Sequence, residues 1–112
     1  MPEVIAVMKD IFFAAKIRET AKHKGIDTAI VRSYEDMFDF LNRRTKLLIF
    51  DLREGFDFTI VKDIKGNRLF SDIGLIGFLP HVNTELKNEA LSAGFDRVYS
   101  RGEFSKKLAE II

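Results

Sequence analysis

The sequence contains no cysteine and no tryptophan, and only two prolines. Lack of cysteine excludes disulfides, thiolate nucleophiles and sulfur-ligated zinc or iron–sulfur clusters, and agrees with a reducing compartment, so the expected location is cytoplasmic. With so little proline there are few places where the chain is forced to break, which suits a densely structured domain. Neither sign of charge is in excess, since 18 Lys and Arg face 17 Asp and Glu for a net charge of +1. No global field therefore draws the chain toward nucleic acid or a membrane surface, and partners must be sought in local sites. Long apolar runs are missing as well. The stretch from Val4 to Met8 is too short to span a membrane and has no basic segment before it of the signal-peptide kind, so it reads as a buried strand.

What is present points to one α/β domain. A chain of 112 residues, 46% hydrophobic and 31% charged, fills one core but not two, so residues 1–112 are expected to form a single domain. Eleven phenylalanines supply that core with aromatic bulk. Short apolar runs alternate five times with longer amphipathic stretches, the pattern of a parallel sheet with crossover helices. The strand candidates are Val4 to Met8, Thr28 to Val31, Leu47 to Phe50, Leu75 to Leu79 and Arg97 to Tyr99. Near-continuous apolarity in the first, third and fourth indicates burial on both faces. Between them, Phe13, Ile17 and Ala21 recur at helical spacing. So do Tyr34, Met37, Phe38 and Leu41, then Leu86, Ala90 and Ala93, and finally Phe104, Leu108 and Ile111. Ser33 and Asn83 are suited to cap helix starts, and Gly25 and Gly94 to end helices in the left-handed conformation. A short third helix is expected around Phe58, Ile60, Val61 and Ile64, before the turn-like Lys65-Gly66-Asn67-Arg68.

Five βα units of this length make a flavodoxin-like, doubly wound, five-stranded parallel sheet of order 2-1-3-4-5, with any site at the carboxyl ends of the strands. Two stretches carry a closer resemblance. Leu47-Leu48-Ile49-Phe50-Asp51 is similar to the third strand of response-regulator receiver (CheY-like) domains, which ends in the phosphoacceptor aspartate. The stretch from Ala93-Gly94-Phe95 to Arg101-Gly102-Glu103-Phe104 resembles their helix end, fifth strand, lysine and Pro-Phe. Arginine stands for the lysine here and glycine for the proline. The resemblance covers the whole chain, in order.

At the level of chemistry the same resemblance marks a degenerate, pseudo-receiver site. The acidic pair that receivers carry after the first strand falls on Met8 and Lys9, leaving Asp10 one place late. Magnesium requires a near-octahedral shell of oxygens, which neither a thioether nor an ammonium supplies, so no metal and no cofactor is expected. The switch hydroxyl falls on Leu79 or Pro80 and the switch aromatic on Val98. Tyr99 is shifted by one residue, which in a strand puts it on the opposite face. The resemblance would gather Lys9, Asp10, Asp51, Pro80, His81 and Arg101 at one edge, with Lys9 or Arg101 expected to pair with Asp51.

Other features have simpler readings. His23, between Lys22 and Lys24, is a solvated surface residue, and His81 alone lacks a nucleophile or orienting partner. The basic residues Lys16, Arg18, Lys22 and Lys24, with Arg43, Arg44 and Lys46, are diluted by Glu19, Glu35 and Asp36. They read as solvated faces, and no nucleic-acid partner is expected. Gly55, Gly66, Gly74 and Gly77 form no phosphate cradle. The expected function is thus a stand-alone, non-enzymatic pseudo-receiver that docks a protein partner in signal transduction without phosphorylation. Its expected contact surface contains Lys87, Asn88, Arg97, Tyr99, Lys106 and Lys107, and the same surface can form a homodimer. Two alternatives remain: an active phosphoacceptor at Asp51, and a small-anion sensor built from Lys9, His81 and Arg101.

Overall fold

Residues Met1–Ile112 are all described by a computed structural model. Short runs of four to six residues form the strands. These are Val4–Val7 (β1), Thr28–Val31 (β2), Leu47–Asp51 (β3), Gly74–Leu79 (β4) and Arg97–Ser100 (β5). All pair in parallel, in the order β2-β1-β3-β4-β5. Helices follow each strand: Ile11–Lys24 (α1), Tyr34–Phe40 (α2), Thr59–Lys65 (α3), Thr84–Ala93 (α4) and Arg101–Ile111 (α5). The expected fold is therefore the observed one, with strand ends displaced by a residue. Met8 falls outside β1, while Gly74, Asp51 and Ser100 extend β4, β3 and β5.

Side-chain alternation along the strands divides the core into two layers. Ile5, Val7, Leu48, Phe50 and Leu75 face Met37, Ile60, Ile64 and Leu86 of α2, α3 and α4. Val4, Ala6, Ile49, Ile76 and Phe78 face Phe13, Ile17, Phe104 and Leu108 of α1 and α5. Val98 lies in the first layer and Tyr99 in the second, so the one-residue shift does place the aromatic on the opposite face.

Local signals fix the helix ends. The Ser33 hydroxyl accepts from the Asp36 amide and the Asn83 side chain from the Leu86 amide. Ser100 and Glu103 form a reciprocal capping box at α5. Gly25 ends α1 with φ of 68°, a conformation that costs glycine little. Two packing expectations are corrected. Phe38 is exposed rather than part of the α2 core face, because this seven-residue helix covers only enough sheet to bury Met37. Tyr99 is buried, 8% exposed, because α5 lies over β5 through Phe104.

Candidate functional site

The chain order changes direction between β1 and β3, and the loop leaving β1 turns to the opposite face from those leaving β2 and β3, which opens a crevice at their carboxyl ends. A cleft of about 570 Å³ lies there, with Met8 and Lys9 after β1, Arg32 and Ser33 after β2, and Asp51 and Arg53 at the end of β3. Tyr34 and Phe56 add aromatic surface beside the buried Phe50, and the three rings meet at centroid distances of 5.6 to 6.3 Å.

Asp51 is the buried charge of this cleft, its side chain 6% exposed. Both Arg53 donors reach one oxygen, Nε at 3.2 Å and Nη2 at 3.0 Å from Oδ2. The other oxygen, Oδ1, is buried and accepts no hydrogen bond. Pairing of Asp51 with Lys9 or Arg101 is not observed. Lys9 is exposed and forms no ion pair, and Arg101 is occupied elsewhere. Arg53, which sequence reasoning passed over, takes the role instead. Two residues beyond the aspartate, it leaves the strand as the loop begins, so its fork can fold back onto the carboxylate.

Asp10 faces a different task. Its Oδ1 caps α1 by accepting from the amides of Phe12 and Phe13 at 3.0 and 3.1 Å, and its Oδ2 accepts from Arg101 Nη1 at 3.0 Å. The Arg101 guanidinium also lies 4.4 Å over the Phe13 ring. Hydrogen bonding by the Phe13 amide is the largest influence holding the Asp10 carboxyl below its usual range. Burial opposes it, while Arg101 and the Phe12 amide add to it. Asp10→Ala is expected to cost about 1 kcal/mol at neutral pH through loss of the cap, whereas Asp10→Asn retains most of that capping. Because the folded carboxyl ionises below its ordinary value of 3.8, its stabilisation is complete above that value and disappears as the pH falls through the depressed one. Thermal melts from about pH 6 to pH 2 should therefore give a shallower acid slope for Asp10→Asn than for the wild type; parallel slopes would remove Asp10 from the acid response.

Five of the six edge residues thus divide into two groups, while Asp10 caps α1 and holds Arg101. Lys9 and Asp51 share the cleft with Met8, which also packs in the α1 and α5 layer. Pro80, His81 and Arg101 line a second cleft with Lys87, at the carboxyl ends of β4 and β5. None of the three main clefts is lined by Lys9, His81 and Arg101 together. Of the expected contact surface, Lys87, Asn88, Arg97, Lys106 and Lys107 are exposed, while Tyr99 is not. Two of the α1 basic residues are tied to α5, Lys16 to the Ser105 hydroxyl and Lys24 to the Ala109 carbonyl.

The donor set does not suit Mg²⁺. No three His, Asp or Glu side chains are placed to share an ion. Asp10 is committed to a helix cap and Arg101, and the free oxygen of Asp51 has Arg53 beside it. A divalent cation would meet positive charge where it needs carboxylates.

No protein-family model and no curated protein matches the sequence. Solved structures do match its fold. An orphan response regulator of H. pylori superposes with a TM-score of 0.78 at 19% identity, covering 98% of this chain and 92% of that one. A response regulator from Thermotoga maritima gives 0.81 at 18% identity, covering 99% and 93%. An atypical orphan response regulator, whose structure is reported to reveal a new phosphorylation-independent regulatory mechanism, gives 0.77 at 20% identity, covering 97% and 90%. With five parallel strands in the order 2-1-3-4-5 and full-length superposition on these proteins, the chain has the fold of a response-regulator receiver domain.

Proposed function

We propose that this chain is a pseudo-receiver: a non-enzymatic, cytoplasmic signalling module that docks a protein partner without being phosphorylated. The observation that carries this reading is the Arg53 fork on Asp51. It supplies the buried carboxylate with a counter-charge from the chain itself, so one arrangement of the edge is favoured with no metal or phosphoryl group. Arginine on Asp10 acts in the same sense at the neighbouring loop. Similarity to an atypical orphan regulator with a phosphorylation-independent mechanism supports the reading. The docking surface is the exposed side of α4, β5 and α5, where Lys87, Asn88, Arg97, Lys106 and Lys107 stand in solvent. These four cations suit an acidic partner.

Addition of beryllofluoride with Mg²⁺ to the ¹⁵N-labelled protein tests the proposal. Amide shifts at Asp51, His81, Val82 and Arg101 are expected to stay unchanged. Specific, Mg²⁺-dependent shifts that vanish in Asp51→Asn would make the chain a working phosphoacceptor instead.

A further inference from the structure

We infer that the cleft beside Asp51 is a binding site for a small aromatic zwitterion of the amino-acid class. The buried Asp51 Oδ1 has no donor, although the side chain lies on the cleft wall and is more than nine-tenths buried. A ligand ammonium is the group that would satisfy it. The present occupant of this carboxylate is itself a cation, Arg53, which is 59% exposed and sits on a solvated loop. Arg53 can therefore swing into water as an ammonium arrives, and the buried charge is never left alone.

The rest of the wall argues for a second, negative group on the same ligand. Lys9 and Arg32 line the cleft and form no ion pair, so a carboxylate entering here meets two unneutralised cations. Glu35 and Glu54 also line it. Three cations and three carboxylates in one cleft favour neither a pure anion nor a pure cation. They match a ligand carrying both charges. Tyr34 and Phe56, both half-buried, offer ring faces and edges to an aromatic body. The volume of about 570 Å³ is that of a small-molecule site rather than of a peptide groove. Such a ligand would exchange the Arg53 latch for its own contacts and shift the loop after β3, a ligand-driven input to the same edge.

The test titrates the full ¹⁵N-labelled chain with L-phenylalanine and, separately, with phenethylamine and 3-phenylpropionate, which carry only one of the two charges. Saturable shifts are expected at the amides of Lys9, Ser33, Arg53 and Phe56, with L-phenylalanine bound at least tenfold more tightly than either control. Asp51→Asn should weaken that binding tenfold or more. Arg32→Ala, an exposed position that leaves the core untouched, should weaken it several-fold. No saturable shift at millimolar L-phenylalanine would overturn the assignment. So would equal affinity for a singly charged control, or unaltered binding by a folded Asp51→Asn protein.

Discussion

Phe104→Ala is expected to destabilise the protein by about 3–5 kcal/mol, the range for removing a fully buried phenylalanine. Phe104 is 0% exposed. Its ring stacks on Phe78 at 4.8 Å and 12°, meets Phe13 edge-on at 5.6 Å, and lies 6.4 Å from Tyr99. Truncation removes one member of this aromatic group and leaves a cavity between α1, α5 and the sheet, a site closed on every side by regular elements that cannot collapse inward. A domain of this size has roughly 5–15 kcal/mol in hand, so the variant should fall to the edge of folding at 37 °C. Urea unfolding measures the loss directly. A loss of unfolding free energy below about 1.5 kcal/mol would mean that the layer relaxes around the gap. Phe104→Leu, which keeps most of the volume, should recover the larger part.

The second large effect comes from adding atoms rather than removing them. Gly77 lies inside β4, paired in register with Phe50 on one side and Val98 on the other. A Cβ at this position would stand 2.7 Å from Leu52 Cγ and 3.3 Å from Phe95 Cε2. Leu52 is itself 0% exposed and has nowhere to retreat. Gly77→Val should therefore cost roughly 3 kcal/mol or more, at the upper end of overpacking. The glycine is required by this close approach of side chains, since its backbone is ordinary extended strand. A second substitution identifies the cause. In the Leu52→Ala background the cost of Gly77→Val should shrink by well over 1 kcal/mol, and strictly additive losses would show that the clash is relieved some other way.

The fold was legible because several independent signals agreed. The runs at β1, β3 and β4 are apolar on both faces, and a strand sandwiched by helices accepts nothing else. Ser33, Asn83, Gly25 and Gly94 marked helix ends by chemistry that needs no tertiary information. What failed was the assignment of surface and of partners. Tyr99 carries a hydroxyl and reads as a surface residue, yet its ring body is covered by α5 and its OH stays within reach of Arg97 at 3.5 Å. The ion pairs were harder still. Whether Lys9, Arg53 or Arg101 neutralises Asp51 depends on the path of three loops, and sequence gives only their order. Asp10 turns back to cap α1 and takes Arg101 with it. Arg53 is then the cation that reaches Asp51.

The pairing of α1 with α5 also bears on the order in which the molecule can assemble. The contacts that hold the two helices together join residues 85, 89 and 91 positions apart: Lys24 with Ala109, Lys16 with Ser105, and Asp10 with Arg101. On the other face, successive βα units bring in α2, α3 and α4 in turn, each close in sequence to the strand it covers. One layer can thus close progressively as the chain leaves the ribosome. The other holds Phe13 and Phe78 uncovered until the last helix arrives, so the apolar face most prone to off-pathway association is the one whose cover is synthesised last.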